Sequence, residues 1–341
     1  MSITMATDGK SSVRGSSSKS KVMLRRLLLV HVLLLAASGG AAGQPAGLKV
    51  GFYARSCPAA KSIVRNITWA RTARDGTLAG KMLQLFFHDC FPQGCDASVL
   101  LDGPDTEKAA PPNESLGGFG LVDEVKAALE RACPGTVSCA DVVALAARDA
   151  VSLQFGRPLW EVETGRRDIL SSRFDDAFHV PNPEFGFEDL RKVFAVRGLS
   201  VADLVALSGA HTLGVTNCKF VSPRLYTFKG NGGVDPLIDG GYARQLMQQC
   251  PNMAARGIVS LDPGSEFRFD TSYYRTVKTN RGALLTDAAL LHDAEAARLV
   301  DEMLDQGKFL AAFAASIKKM GAIGVRTGDN GQIRRNCHFK N

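Results

Sequence analysis

The chain has 341 residues, of which 45% are hydrophobic and 22% charged, a composition that supports a folded core and excludes a disordered or fibrous protein. Its formal net charge is +7, but residues 1–43 hold six Lys/Arg and one Asp, so the rest has 35 basic and 33 acidic residues, a net charge of +2. With no basic tract, this remainder gives no support for a nucleic-acid-binding surface.

A basic and then apolar segment opens the chain. Lys21 and Arg26 lie before an apolar run over 27–37, and small residues follow it. This order is typical of a cleaved secretory signal, and the run is shorter than the roughly 20 residues of a membrane-spanning helix. We therefore predict a signal peptide over 1–43, a secreted mature chain over 44–341 and no membrane association after cleavage. No extension follows the terminal RNCHFKN, which favours the extracellular space or cell wall over the vacuole.

Most of the remaining chain has apolar residues three and four positions apart, the spacing of amphipathic helices. The pattern predicts helices over 58–73, 76–90, 119–131, 188–197, 201–208, 240–249, 271–279 and 294–322. A further helix is expected after Ser138, an N-cap residue with Asp141 three positions later. Stretches 102–118 and 228–240 are rich in Gly, Pro and Asp and are expected to be loops. Strand-like segments are few and short, as at 160–163, so the sequence predicts an all-α fold.

The stretch QLFFHDCFPQGCDAS, residues 84–98, is unusually dense in chemically active side chains. His88 follows a wall of Leu and Phe, and a buried histidine is a proton carrier or a metal ligand, unless it is simply satisfied in the core. Asp89, Asp96 and Ser98 offer hard oxygen atoms in a loop that Cys90 and Cys95 flank. That loop is either a calcium cage closed by a disulfide or a solvated polar turn.

A second histidine stands in DLVALSGAHTLG, where His211 follows an apolar helix and precedes Thr212. Downstream, SLDPGSEFRFD places Asp262, Ser265 and Asp270 at spacings suited to a second oxygen cage with Thr212. Taken singly, each of these acids is as well explained as a surface or capping residue.

Eight cysteines follow the signal, and an even count in a secreted chain predicts four disulfides, although eight thiols allow 105 pairings. Zinc binding is the weaker alternative, because the cysteines do not form CxxC pairs.

Taken in order, FYARSCP, FFHDCFPQGCDASVLL, VSCADVVALAARDAV, GRRD, DLVALSGAHTLG, FRFDTSYY and the terminal RNC resemble the plant secretory (class III) haem peroxidase family. The resemblance covers nearly everything from Leu48 to Asn341. It implies an all-α haem peroxidase fold in which haem b is held between a distal half, about 44–185, and a proximal half, about 186–341. It also implies two structural Ca²⁺ ions. The C-terminal segment is linked back to the distal half.

The resemblance also implies roles for single residues. His211 is expected to bind the haem iron and Asp287, in LLTDAAL, to accept a hydrogen bond from it. His88 is expected to be the distal acid–base and Asn113 to orient it. Further expected positions are Phe87 in the haem pocket and Pro181, in VPNP, near the reducing substrate.

Calcium ligands and disulfides follow from the same resemblance. The distal calcium is expected to bind Asp89, Pro92, Gly94, Asp96 and Ser98, with Glu107 contacting it through water. The proximal calcium is expected to bind Thr212, Asp262, Ser265, Arg268 and Asp270. The family pairs its cysteines as Cys57 with Cys133, Cys90 with Cys95, Cys139 with Cys337, and Cys218 with Cys250.

Two positions depart from the family. Gln84 stands where the family has an arginine, four residues before His88 and so on the same helix face. The run PPNESLGGF is one residue shorter than the family's and has Gly117 at an expected arginine, which affects the placement of Asn113. Asn66 and Asn113 both begin N-glycosylation sequons, and burial of Asn113 would leave Asn66 as the acceptor.

The leading hypothesis is a secreted haem peroxidase that reduces hydrogen peroxide and oxidises phenolic donors by one-electron steps, slowed by Gln84. The resemblance to the family implies that this protein is a monomer. The alternative is a peroxidase-like haem-binding cell-wall protein with little or no turnover. A calcium-binding structural protein without haem is disfavoured, because it gives no reason for Asp287 behind His211.

Overall fold

The computed structural model describes residues 47–230 and 232–341, so the predicted signal peptide lies outside the described residues. The described chain forms twelve α-helices: α1 (Ala60–Thr72), α2 (Leu78–Cys90), α3 (Phe119–Ala132), α4 (Cys139–Ser152), α5 (Phe187–Val196), α6 (Val201–Ser208), α7 (Cys218–Tyr226), α8 (Gly240–Gln249), α9 (Ser272–Lys278), α10 (Leu285–Ala289), α11 (Ala294–Glu302) and α12 (Gln306–Met320). The fold is mostly helical, as predicted.

Helix α4 is the centre of the first half of the fold. Its sequence is apolar on nearly every face, and all of its residues are buried, which is the expected position for such a helix. Helices α1, α2 and α3 pack around it. Helix α2, which has His88 in its last turn, makes its most extensive packing contact with α4, so the histidine is held on a rigid support.

The second half is built around α6, which packs against α5, α11 and α12. Its apolar side chains join the same hydrophobic core as those of α2 and α4. A separate, smaller core lies beneath α7 and α8. Helix α6 leads directly into a 3₁₀ turn, Gly209–Thr212, which places His211 beside the main core.

Predicted and observed helices differ where local signals compete. The single helix expected over 294–322 is two helices, because the Asp305 side chain accepts the amide of Lys308 at 2.8 Å and begins α12 there. Helix α7 was not predicted, since Pro223 lies inside it, and α10 is only five residues long. Ser138 caps α4 as expected, with its Oγ 3.1 Å from the Asp141 amide.

The strand expected at 160–163 was wrong, because these residues form no strand, and the isolated bridge nearby joins the next residue, Thr164, to Lys49. The described residues contain two short strands, β1 (Val215–Asn217) and β2 (Ile258–Ser260), paired antiparallel with Val215 opposite Ser260. This ribbon links the segment after His211 to the one before Asp262.

The eight cysteines form four disulfides, in the pairs that the resemblance implies: Cys57–Cys133, Cys90–Cys95, Cys139–Cys337 and Cys218–Cys250. The Cys139–Cys337 bond joins residues 198 positions apart. Asp168 strengthens this junction, because its carboxylate accepts the Cys139 and Ala140 amides at the start of α4 and also the Arg334 amide, at 2.9–3.1 Å. Arg334 and Cys337, which are buried, are therefore packed into the N-terminal half.

Within residues 47–230 and 232–341, no single helix is both long and apolar enough to cross a membrane. One pair of helices meets the length and composition requirements together, Phe187–Val196 with Val201–Thr212, and it is bent by 107°.

Candidate active site

His88 is fixed in one orientation by a short hydrogen-bonded chain. Its Nδ1 lies 2.7 Å from Asn113 Oδ1, and Asn113 Nδ2 donates to the Glu107 carbonyl at 2.7 Å. Because a carbonyl only accepts, the Asn113 amide must present its oxygen to His88. The proton of the neutral ring is then on Nδ1, which leaves Nε2 as the basic nitrogen. The shortened loop thus still brings Asn113, 3% exposed, to the histidine.

Burial lowers the pKa of His88 to about 4, and the hydrogen bond with Asn113 opposes this only in part. The ring is therefore neutral at neutral pH. Its Nε2 has no hydrogen-bond partner among the residues that the structure describes. An uncharged imidazole with a free Nε2 is ready to accept a proton from a small molecule.

Gln84 lies one helical turn before His88, and its amide nitrogen donates to Ser115 Oγ at 3.2 Å. Lys81 is directed elsewhere, since its ammonium pairs with Asp75 at 3.7 Å and its stem lies against Gly117. The Phe87 ring stands edge-on to His88 with centroids 5.7 Å apart. Gln84 and Phe87 thus place a neutral amide and an apolar ring beside His88 on its own helix.

His211 is oriented by a buried carboxylate. Its Nδ1 lies 2.7 Å from Oδ1 of Asp287, which is 1% exposed. The same Oδ1 accepts the hydroxyl of Tyr273 at 3.0 Å, and Oδ2 accepts the Leu284 amide at 3.0 Å. Gly209, two residues before His211, lets this turn pack closely on Phe309 and Tyr274, because a Cβ at Gly209 would overlap both side chains.

Charge pairing overcomes burial in this pair. Burial raises the pKa of Asp287, but the facing His211 and the hydrogen bonds lower it by more than burial raises it. The net pKa of Asp287 is therefore below the ordinary value. Burial lowers the pKa of His211, and Asp287 outweighs it, so that pKa is raised. The proton shared by the two groups is therefore held on Nδ1, and Nε2 faces away from the carboxylate.

The elements that hold the two histidines are in contact at one end. Gly80, near the start of α2, lies against the backbone of Leu213 and Gly214. His88 is eight residues further, roughly 12 Å along the helix axis. Burial acts to lower the pKa of both rings, although Asp287 more than offsets it at His211. Neither ring is fully enclosed, since His211 is 34% exposed and His88 is half-buried. Two partly accessible histidines, each with its Nδ1 held by the protein, fit the haem that the resemblance implies.

The first predicted oxygen set is brought together beside His88. Both carboxylate oxygens of Asp89, Ser98 Oγ and one oxygen of Glu107 are buried and, within the described chain, have no hydrogen-bond partner. Burial, with the charges of Asp96 and Glu107, raises the pKa of Asp89 well above its usual range. Burial also raises the pKa of Glu107 to about 8 and that of Asp96 to about 6. Buried, unpartnered and mutually repelling oxygens fit a hard cation.

Arginines contact two members of this set. Arg326 Nε lies 3.3 Å from Asp96, and Arg197 donates to the Pro92 carbonyl. Gly94 adopts a φ of 149° and packs on Gly324 so closely that no side chain fits, which explains the glycine in this loop. The described residues contain no group of three His, Cys, Asp or Glu side chains arranged for a metal; the set here depends on hydroxyl and carbonyl oxygens as well.

The second oxygen set also converges. Thr212 Oγ1 lies 2.9 Å from Asp262 and 3.2 Å from the Arg268 carbonyl. Ser265 Oγ is 2.9 Å from Asp270. Burial chiefly raises the pKa of Asp262, which the hydroxyls around it oppose. This group of oxygens lies directly after His211, so a cation bound there would brace the histidine's turn.

Pro181 is half-buried and follows a 3₁₀ helix, Phe174–His179, that packs against the turns of Glu107 and Asn113.

Sequence patterns did not predict two contacts, those of Tyr273 with Asp287 and of Ser115 with Gln84. Tyr273 lies 14 residues from Asp287 and Ser115 lies 31 from Gln84, and no periodicity connects them. The one signal in the sequence was that Tyr273 lies in the motif FRFDTSYY and Ser115 in the run PPNESLGGF.

Comparisons with known proteins give consistent matches. A model of the family described as "Peroxidase" matches residues 64–306. Peroxidase 24 of Arabidopsis thaliana is 45% identical over 305 residues, which cover 86% of this chain and 87% of that protein. Peroxidase 1 of the same plant is 43% identical over 304 residues, covering 87% and 93%. Peroxidase 27 is 44% identical over 299 residues, covering 86% and 92%.

Proposed function

This chain belongs to the peroxidase family, and we propose from that premise that it is a secreted haem peroxidase in which Gln84 slows the cleavage of hydrogen peroxide. Its class of activity is the oxidation of electron donors with hydrogen peroxide. The observation that supports the assignment of the site is the pair of oriented histidines, each with Nδ1 held by the protein and Nε2 free. The substrates proposed are hydrogen peroxide and small phenolic donors, oxidised by one-electron steps.

His88 is the proposed acid–base. With haem held at His211, the Nε2 of His88 would take a proton from one oxygen of hydrogen peroxide and return it to the other, which would leave as water. Asn113 keeps the other proton on Nδ1 throughout, because its amide oxygen accepts that proton and its Nδ2 is anchored to the Glu107 carbonyl.

His211 is the residue proposed to hold haem b, through Nε2. Bound haem supplies the electrons that reduce the peroxide. Asp287 draws on the Nδ1 proton of His211 and so makes the imidazole a stronger electron donor at Nε2. Phe87 is proposed to line the haem pocket and Pro181 to lie near the donor.

Gln84 is the neutral residue that we propose weakens the site. Negative charge builds on the departing oxygen as the O–O bond breaks, and an arginine would stabilise it with a fixed positive charge. Gln84 offers a neutral amide donor, and in this structure that donor is bonded to Ser115. Its contribution to the transition state is therefore smaller.

The test of the proposed function is direct. Purified, haem-loaded protein should consume hydrogen peroxide and oxidise a simple phenol, while His211→Ala should lose haem and both activities. A haem-loaded protein that turns over neither substrate would support the low-turnover alternative, which the named relatives do not favour.

We also propose two structural calcium ions at the oxygen sets, secretion to the extracellular space or wall, and a monomer. Calcium at Asp89 follows from its unpartnered, buried oxygens. The proximal ion rests on the convergence of Thr212 and Asp262. Chemical analysis of metal content in the purified protein gives the stoichiometry.

The distal calcium predicts a reversal of stability in an Asp89→Asn variant. A carboxyl whose folded pKa is raised destabilises the fold increasingly as pH rises above its unfolded pKa, and at Asp89 the pKa is raised. With a chelator at neutral pH the variant should therefore melt above the wild type, and in excess calcium below it. Each kcal/mol corresponds to about 1–2 °C in a protein of this size.

The control is Asp189→Asn, because Asp189 is on the surface and, within the described part of the chain, its one ion pair is with Lys192 at 3.8 Å. The difference between its melting temperature and that of the wild type should be the same with chelator and with calcium. If the difference for Asp89→Asn is also the same in both buffers, Asp89 does not bind the cation.

Glycosylation should occur at Asn66 and not at Asn113. Asn66 is exposed on α1, whereas Asn113 is buried and bonded to His88. Peptide mass spectrometry of protein secreted by plant cells should find a glycan at Asn66 that the Asn66→Gln variant lacks. A glycan on Asn113 in active protein would contradict the His88–Asn113 hydrogen bond.

A further inference from the structure

Tyr273 is a buried residue of α9 that the proposed function does not use. Its side chain is fully enclosed, and its hydroxyl lies 3.0 Å from Asp287 Oδ1. The ring also stands edge-on to His211, with centroids 5.9 Å apart. It is therefore the third member of a group that begins at the proposed iron ligand.

Asp287 Oδ1 is shared between two donors. It lies 2.7 Å from His211 Nδ1 and 3.0 Å from the Tyr273 hydroxyl. Burial raises the pKa of Tyr273, and the Asp287 charge adds to this, so the phenol keeps its proton and donates it. A carboxylate that accepts a second hydrogen bond at the same oxygen has less negative charge available for the first.

We propose that Tyr273 is a positioning residue that limits how strongly Asp287 draws on the His211 proton, and so sets the electron donation of His211 to the haem iron. This inference rests on the proposed function, since it requires iron at His211. Tyr273 lies outside the histidine–aspartate pair, and its hydroxyl would shift the reduction potential of the iron in one direction.

The expected direction follows from charge. Without the Tyr273 hydroxyl, the Asp287 carboxylate is more basic and attracts the Nδ1 proton more strongly. The imidazole then becomes more anionic, donates more strongly to iron and favours the ferric over the ferrous state. Tyr273→Phe should therefore lower the reduction potential of the bound haem.

Tyr274 is the matched control within the same helix. Its ring lies 5.1 Å from that of Tyr273, and it is equally buried. Its hydroxyl donates to the carbonyls of Val205 and Ala206, at 3.0 and 3.3 Å, and not to Asp287. Tyr274→Phe thus removes the same atom from the same core without touching the proximal carboxylate.

The experiment is a redox titration of haem-loaded wild type, Tyr273→Phe and Tyr274→Phe, with the iron–histidine stretching band of the ferrous protein recorded by resonance Raman spectroscopy. For Tyr273→Phe we expect the ferric-to-ferrous ratio at a fixed potential to rise about tenfold, which is 59 mV for a one-electron couple. The stretching band should move to higher frequency. Tyr274→Phe should match the wild type in both measurements.

Three results would overturn the proposal: no shift in Tyr273→Phe, a shift of opposite sign, or equal shifts in the two variants. The first means that the hydroxyl has no influence, the second that Tyr273 only holds Asp287 in place, and the third that the loss of packing is responsible. Failure of the proposed function gives a different result, because the wild type would then lack the iron–histidine band.

If Tyr273→Phe does not fold, fluorotyrosine incorporated at all five tyrosines provides the opposite change. Its more acidic hydroxyl donates more strongly, so the potential should rise in an otherwise native chain, and equally in a Tyr274→Phe background. An unchanged potential would overturn the proposal.

Discussion

Replacing Gln84 with arginine is expected to speed the reaction of the haem-loaded protein with hydrogen peroxide by about 100-fold. Loss of one preorganised donor at a developing negative oxygen costs ~2.7–4 kcal/mol, on the order of 100- to 1000-fold in rate. Gln84 retains an amide donor, so the gain from arginine lies at the lower end. Stopped-flow absorbance of the haem after mixing with peroxide gives the second-order rate constant.

Two controls separate the position from the charge. Lys81→Arg places a guanidinium on the same helix, where the side chain pairs with Asp75 away from His88, and it should leave the rate unchanged. Ser115→Ala releases the Gln84 amide from its hydrogen bond and should raise the rate slightly. If Gln84→Arg reacts no faster than the wild type, Gln84 does not limit peroxide cleavage.

Replacing His88 with leucine is expected to slow the same reaction by about 10²- to 10⁴-fold, the usual contribution of a positioned acid–base. Haem binding should persist, because His211 and Asp287 lie on other elements. An unchanged haem spectrum together with a slow peroxide reaction would therefore assign the loss to proton transfer. Equal rates in wild type and variant would exclude His88 as the acid–base.

The pH dependence gives an independent check on His88. Because burial lowers its pKa to about 4, Nε2 is free above that pH and protonated below it. The wild-type rate constant should be flat near neutral pH and fall as the pH decreases through about 4. His88→Leu should lack this decline, and Asn113→Val should react more slowly than the wild type at every pH, since the Nδ1 proton is no longer held in place.

Helical periodicity predicted the framework well because most helices here have one apolar face, and it failed where a single residue decides. The Asp305 cap divides the region predicted as one helix, 294–322, into two helices. Pro223, a residue that usually breaks helices, lies inside α7, so the sequence did not predict that helix. For the site, the sequence identified His88 and His211 through their apolar surroundings, and family resemblance implied Asp287. The contacts of Tyr273 and Ser115 depend on how distant segments pack, which a linear pattern does not contain.

The junction at Asp168 also makes the N-terminal half depend on residues that are synthesised much later. One carboxylate accepts the amides that begin α4 and that of Arg334, and the partner of Cys139 lies 198 positions further along the chain. During synthesis, α4 therefore gains this anchor only after residues 334–337 have been made and the Cys139–Cys337 bond has closed. A chain cut before Arg334 would lack the anchor of the helix that supports His88.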